Sequence, residues 1–273
     1  MNKVKIGVVG AGIYGSYHIR TYKCHPYVEK VVFCDLNEER KKIVEEKYGV
    51  KGYTTVKEMI VTEQLDAVSI ATSDPYHFEP CKEAIESGIK YLLIEKPMAL
   101  TVSECEEIIR LADEYGVKIS VDFHKRWDPA YNCIKTDIKS EDKKIIRGYM
   151  SLDDVIAVPE NWFTWTDKSS PAWFLGVHCY DLIRYITESE VEKVYAVGNK
   201  EVLKKKGYST WDNIQAVLTM KDGSNWTVET SWILPNTFPK SNDGQLISTL
   251  RMNHIVVLNP TQIRNKVFQT ISL

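Results

Sequence analysis

The tightest constraint on this 273-residue chain is a short run near its start, Gly10-Ala11-Gly12-Ile13-Tyr14-Gly15. It has the form G-x-G-x-x-G, and it lies between the apolar run Val4–Val9 and a helical pattern that reaches about Cys24. In that context the first glycine permits a tight turn. The second lets backbone approach a pyrophosphate, and the third lets the helix pack close on the strand. The helix N-terminus then offers free N–H groups and the positive end of its dipole to phosphate oxygens. Asp35 stands 20 residues beyond Gly15, at the end of the next apolar run, Val31–Cys34. A carboxylate there accepts hydrogen bonds from ribose hydroxyls and repels a 2′-phosphate. Arg40 reads as a helical turn away from that strand end. The expected ligand is therefore NAD rather than NADP. The same loop geometry serves methyltransferases, so the motif alone does not settle the chemistry.

The first half of the chain alternates strand and helix. Asn37 is placed to cap a helix running to Tyr48, and Gly49 to stop it. Ala67–Ala71 reads as a strand, and Asp74-Pro75 as an N-cap with proline at N1 of the next helix. Tyr91–Ile94 and Val117–Phe123 read as further strands, flanking a helix from Thr101 to Tyr115 with a Ser103/Glu106 capping box. Such alternation implies a parallel sheet covered on both faces. After about residue 125 the rhythm changes. A helix is expected near Pro129–Ile138 and a strand at 145–152, then an aromatic loop carrying Trp162, Phe163, Trp165 and Trp173. A helix at 173–187 and strands at 192–198, 212–220 and 225–233 follow, the last two joined by the turn pair Asp222-Gly223. The fold class is thus α/β: a doubly wound Rossmann domain over 1–124, then an α+β domain with a largely antiparallel open sheet over 125–273. The tail from about 245 carries no readable pattern.

Composition narrows the partners. Lys plus Arg total 35 and Asp plus Glu 37, a net charge of −2 that gives no electrostatic reason to expect nucleic acid or an anionic membrane. No apolar run approaches the ~20 residues of a membrane helix. The glycine-broken start is not a signal peptide, so a cytoplasmic protein is expected. The six cysteines are scattered and read as free thiols, and no His/Cys spacing suggests a metal site.

Beyond these patterns the chain resembles the Gfo/Idh/MocA family of sugar and polyol oxidoreductases. The resemblance rests on G-x-G-x-x-G followed by His18, Ala71-Thr72-Ser73-Asp74-Pro75 with His77, Glu95-Lys96-Pro97, Arg126 with Pro129, and Gly176-x-His178-x-x-Asp181, in family order across about residues 4–240. It implies that Gly10, Ala11, Gly12, Ile13, Tyr14, Gly15, Asp35, Thr72, Ser73, His77, Glu95 and Lys96 meet the cofactor. It also implies that Lys96 and His178 are catalytic. Lys96 would stabilise a developing alkoxide, and His178 would exchange a proton near neutral pH. His124, Arg126 and Trp165 join them as substrate residues, although Arg126 can equally form a structural ion pair. Asp181 either orients His178 or serves packing. One departure stands out: many family members carry Asp four residues before the histidine, where this chain has Phe174. The ring would line a more apolar pocket, or pack on the helix while Asp154 or Asp167 supplies the carboxylate.

The resulting expectation is an NAD(H)-dependent dehydrogenase acting on a sugar, cyclitol or related polyol. Two other classes stay open: a catalytically silent NAD-binding sensor or assembly protein, and a lyase- or hydrolase-type enzyme using NAD transiently. A homo-oligomer is also expected. Apolar residues of the second-domain strands, among them Val194, Val217, Trp226, Val228 and Trp232, would leave one sheet face needing a cover.

Overall fold

The computed structural model describes residues 3–140, 144–250, 254–258 and 269–272. The chain divides into two compact units, Met1–Asp122 and Phe123–Leu273.

Unit 1 runs β1 (Val4–Val9), α1 (Ile13–Lys23), β2 (Val28–Cys34), α2 (Glu38–Tyr48), β3 (Gly52–Tyr53), α3 (Val56–Glu63), β4 (Ala67–Ile70), α4 (Phe78–Glu86), β5 (Tyr91–Glu95), α5 (Val102–Tyr115) and β6 (Lys118–Asp122). The strands form one sheet in the order β3-β2-β1-β4-β5-β6, and every pairing is parallel. This is the doubly wound arrangement, with its change of direction between β1 and β4. One apolar cluster packs Met59, Ile60, Ile85, Leu92, Ile94, Ile108 and Leu111. A smaller one gathers Val8, Ile19, Phe33 and Val44. Together they cover the sheet from both sides, which explains the near-continuous apolar strands.

The local signals mostly act as expected. Asn37 Oδ1 accepts from the Arg40 amide at 2.8 Å, and Gly49 closes α2 at φ +61°. Two expectations are corrected. The capping box of α5 is Thr101 with Glu104, not Ser103 with Glu106: the Thr101 hydroxyl accepts from the Glu104 amide and also meets Glu104 Oε2. The spacing is the same but starts two residues earlier, because Thr101 is the last extended residue and Ser103 already lies in the first turn. After β4 the chain makes one 3₁₀ turn, Asp74–Tyr76, before α4 starts at Phe78, so Asp74 is not the cap of α4. The short α3, with Thr55 capping the Glu58 amide, was not read from the sequence.

Unit 2 contains α6 (Pro129–Ser140), β7 (Ile145–Val155), α7 (Val177–Thr187), β8 (Val191–Asn199), α8 (Val202–Lys205), β9 (Asn213–Met220), β10 (Asn225–Leu234), β11 (Asn242–Leu250), β12 (His254–Leu258) and β13 (Gln269–Ser272). Two five-residue π-type turns, Val158–Trp162 and Ala172–Gly176, interrupt the connection from β7 to α7. The sheet order is β13-β12-β11-β7-β10-β9-β8, antiparallel except for β7 with β10. The unread tail thus supplies three strands where it is described; residues 251–253, 259–268 and 273 lie outside the described residues.

Alternation along these strands sorts the two sheet faces. Met150, Leu152, Trp226, Val228, Trp232 and Leu246 are buried and join Leu182, Ile183 and Ile186 of α7 in one core. Trp226, Val228 and Trp232 therefore belong to this inner face. The other face carries exposed Val217, but also Gln215, Tyr149, Glu229, Asp153 and Asp243. Tyr149 and Gln215 both donate to Glu229 at 2.7 Å. Exposed Val194, Tyr195 and Val197 sit on β8, at the sheet edge. That outer face is more polar than expected.

Asp153 stands directly across from Asp243 in the β7–β11 ladder. Burial first, then the Glu229 and Asp243 carboxylates, push its carboxyl up to about 7, from 3.8. The folded chain thus holds a proton that the unfolded chain releases, so this stabilisation is full below about pH 4 and lost as pH rises through about 7. The shift corresponds to about 4 kcal/mol at most, less whatever solvent screening removes. The melting temperature is expected to fall by several degrees between about pH 5 and about pH 8. Asp153→Asn should flatten that slope in a thermal-melt series across the same range.

Candidate active site

The glycine loop has the geometry that its spacing implies. Gly10 sits at φ +85°, and a Cβ on it would lie 2.9 Å from Ala71 O and Thr72 N, so the ends of β1 and β4 touch through it. A Cβ on Gly15 would fall 1.8 Å from Gly10 O. The space a Cβ would take at Gly12 is open, and Gly12 is the N-cap of α1 without any side-chain capping bond. The first turn of α1 carries no acidic residue, while Ile13 and Tyr14 stand exposed. An uncapped, acid-free N-terminus beside open space fits a pyrophosphate.

Asp35 is buried at the end of β2. Its Oδ2 accepts from the Ala11 amide at 2.8 Å and its Oδ1 from the Asn37 amide at 2.8 Å, tying the carboxylate to the glycine loop. Arg40 does not stay a turn away. Its Nη1 reaches back to 3.2 Å from Asp35 Oδ2, because a long arginine stem spans the first turn of α2. Leu36, beside Asp35, is 85% exposed, an apolar surface next to that carboxylate which sequence reasoning did not single out.

The end of β5 carries Glu95-Lys96-Pro97, with a cis peptide before the proline. Lys96 is only 4% exposed, so it is not a solvated surface charge. Glu95 is equally buried, and its Oε1 lies 2.9 Å from His18 Nε2. His18 Nδ1 meets Ser69 Oγ at 2.7 Å, and Ser69 in turn accepts from the Tyr22 hydroxyl at 3.2 Å. Donor counting orients this chain: Tyr22 donates to Ser69, Ser69 to Nδ1, and Nε2–H to the Glu95 carboxylate. Asp122 stands 3.7 Å from the same Nε2, its carboxyl raised by burial and by Glu95. Oxygens of Glu95 and Asp122 and a ring nitrogen of His18 lie within 4.8 Å of one another. The expectation of no metal grouping rested on Cys/His spacing and did not see this long-range cluster, which the hydrogen bonds account for as a polar network.

His77, expected against the cofactor, is 1% exposed, with both ring nitrogens on main-chain carbonyls: Nδ1 at 2.6 Å from Pro97 O and Nε2 at 2.9 Å from Thr72 O. Its ring is thereby committed to the protein. Thr72 and Ser73 stay half-buried at the mouth of β4, Thr72 Oγ1 donating to Tyr76 O.

In unit 2, His178 is buried in the first turn of α7, and the His124 ring meets it edge-on at 4.9 Å. Asp181 is claimed by Arg126, which donates to both of its oxygens at 2.7 and 2.5 Å. The ion pair named as an alternative for Arg126 is thus formed, with Asp181 as its partner. Trp165, expected at the substrate, is buried and stacks on Phe163 at 4.2 Å; Phe174 and Trp232 complete that aromatic cluster. Trp162 is well exposed and Trp173 is 36% exposed. Asp154 is buried, and Asp167 accepts from the Ser209 amide.

Fold and glycine loop are those of a doubly wound nucleotide-binding domain. Residues 4–123 match the family model described as "Oxidoreductase family, NAD-binding Rossmann fold", and residues 145–245 the GFO/IDH/MocA C-terminal domain. The chain belongs to the GFO/IDH/MocA family, and its first unit is the family's NAD-binding domain. Among curated relatives, it is 26% identical over 203 residues to an uncharacterized oxidoreductase of Bacillus subtilis, YrbE, covering 72% of this chain and 57% of that one. It is 26% identical over 235 residues to myo-inositol 2-dehydrogenase of Thermotoga maritima, covering 84% and 68%. The chain therefore spans between about half and two thirds of the length of such relatives. The solved myo-inositol 2-dehydrogenase of Lactobacillus plantarum shares the fold, with TM-score 0.81 and 22% identity over 95% of this chain and 81% of that one. So does GenD2 from gentamicin A biosynthesis, solved in complex with NAD, with TM-score 0.84 and 18% identity over 95% and 73%. No helix among the described residues is long and apolar enough to cross a membrane.

Proposed function

We propose that this chain is an NAD(H)-dependent oxidoreductase acting on a carbinol carbon of a sugar, cyclitol or related polyol. The observation that carries this reading is the buried lysine of Glu95-Lys96-Pro97 at the carboxyl end of β5, in the same unit as an open glycine loop. Ligands of doubly wound sheets bind at those strand ends. Bound nicotinamide supplies the redox chemistry, accepting or returning a hydride. The chain's own residues do the rest. The amides of the α1 N-terminus hold the pyrophosphate, and Asp35 holds the adenosine ribose with Leu36 beside it. Lys96 stabilises the alkoxide, and His178 takes or returns the hydroxyl proton. In this reading residues 1–124 bind the cofactor. Residues 125–273 bind substrate and carry the self-association surface, the outer sheet face with exposed Tyr195, Val197 and Val217. Relatives named as inositol dehydrogenases support the polyol class.

The test is a screen of sugars and cyclitols with NAD, read by absorbance of the reduced nicotinamide. Steady accumulation supports net oxidation. Substrate turnover without it would point to transient use of NAD, and binding with neither to a silent member.

Cofactor preference is expected to follow Asp35 and Arg40 together. Wild type should bind NAD more tightly than NADP, because the carboxylate faces the ribose. Asp35→Ser removes the repulsion and leaves the Arg40 guanidinium where a 2′-phosphate would sit. Fluorescence titrations should show the preference reversing by about tenfold or more, the scale of one charged hydrogen bond. Unchanged preference would remove Asp35 from the ribose site.

A further inference from the structure

Both neighbours of Lys96 are held by a buried histidine, and the two histidines come from different elements. On one side, Glu95 gives its carboxylate to His18 Nε2 at 2.9 Å. His18 lies on α1, the helix that opens on the glycine loop, and is fixed from behind by Ser69 of β4 at 2.7 Å. On the other side, the Pro97 carbonyl lies 2.6 Å from His77 Nδ1, the shorter of the ring's two contacts and the one assigned to its N–H, while Nε2 of the same ring faces the Thr72 carbonyl beyond the end of β4 at 2.9 Å. His18 is 8% exposed and His77 1%. Buried imidazoles with protein groups at both nitrogens have one orientation available, so the groups they hold are fixed with them.

We infer that His18 and His77 are positioning residues for Lys96: together they clamp the Glu95-Lys96-Pro97 backbone against β4 and α1, so that the lysine amine is presented in one place. Neither ring is available to touch cofactor or substrate through its nitrogens, since all four nitrogens are engaged within the protein. Misplacement of a reacting group by about 1 Å costs on the order of 100-fold in rate. Loosening either side of Lys96 should therefore act on turnover far more than on cofactor affinity. The link to α1 adds that the helix opening on the glycine loop and the residue immediately before Lys96 share one hydrogen-bond chain.

The inference rests on the oxidoreductase reading for its kinetic arm only. The experiment uses the full chain with His18→Gln, His18→Leu, His77→Asn and His77→Leu. Glutamine keeps an N–H donor near the lost Nε2 of His18 and asparagine one near the lost Nδ1 of His77, whereas leucine keeps only volume. In the leucine variants kcat should fall at least ~10-fold, with the Kd for NAD changed less than about threefold, and the amide variants should restore part of the loss. Amide hydrogen exchange read on the peptide covering 91–99 should rise in the leucine variants, while peptides from α2 and unit 2 stay as in wild type. Unaltered exchange at 91–99, or kcat equal to wild type in both leucine variants, overturns the clamp. A fall in kcat matched by an equal fall in NAD affinity, or exchange rising throughout unit 1, also overturns it in favour of a general structural role. A leucine variant that does not fold passes the decision to its amide partner, His18→Gln or His77→Asn: a reduced kcat with intact NAD affinity supports the clamp, and full activity overturns it. If wild type oxidises no polyol, the oxidoreductase reading fails, and exchange at 91–99 still decides whether the histidines hold the lysine segment.

Discussion

Replacing Lys96 by methionine is expected to lower kcat for polyol oxidation by at least ~100-fold, the scale for losing a positioned acid or base, with the Kd for NAD changed less than about threefold. A lysine only 4% exposed has given up most of its hydration, and a chain keeps such a group where the charge is used or well paired. Its place at the carboxyl end of β5, in a sheet that bends its connections around the glycine loop, puts it where ligands of this fold bind. Burial also changes the choice of variant. A lysine on the surface could be cut to alanine at no structural cost, whereas here truncation would leave a hole. Methionine keeps the stem and removes only the ammonium, so the melting temperature should stay within a few degrees of wild type. Steady-state kinetics on any polyol that wild type oxidises, with a NAD titration beside them, check this. Turnover within about threefold of wild type would make Lys96 a structural residue.

How much of this site was legible in the sequence follows from the range of its interactions. The glycine loop acts over six residues, and its spacing encodes backbone contacts that only glycine tolerates, such as Gly15 against Gly10 O. Asp35 and the Asn37 cap are nearly as local. The histidine bonds are not: His18 reaches Ser69 and Glu95, and His77 reaches Pro97, partners that no periodicity marks. Resemblance gives His77 to the cofactor, and no sequence signal announces that both its nitrogens face main-chain carbonyls. Arg126 and Asp181, 55 residues apart, stood as open alternatives for the same reason. In unit 2 the sheet was harder to read than its hairpin. β11 inserts beside β7, and its buried side carries Leu246 and Ser248 while Ile247 faces the other way. A buried serine and an outward isoleucine scramble the alternation by which a half-buried strand is recognised. The missed α3 did carry a signal, Thr55 with Glu58, but eight residues give little room for a helical period.

Phe174→Asp, which restores the carboxylate many family members carry, is expected to destabilise the chain and bring no gain in polyol oxidation. The ring lies in the π-type turn just before His178, with centroids 4.8 Å from Phe163, 5.9 Å from Trp165 and 6.1 Å from Trp232. Trp165 is stacked on Phe163, and Trp232 is fully buried beneath them. Phe174 is thus a wall of an aromatic cluster inside unit 2, and it packs against the core of that unit. A carboxylate there forfeits the ring contacts and faces three aromatic surfaces in place of water. For a half-buried ring the loss should be about 3 kcal/mol, below the full range for a buried phenylalanine, and it should lower the melting temperature by roughly 10 °C. Phe174→Leu keeps an apolar group and should cost less than half as much. Thermal melts of both variants, with initial rates on a hydroxylated substrate, read these effects together. A Phe174→Asp protein that melts with wild type and oxidises the hydroxylated substrate faster would place this side chain at the reacting carbon rather than in the core.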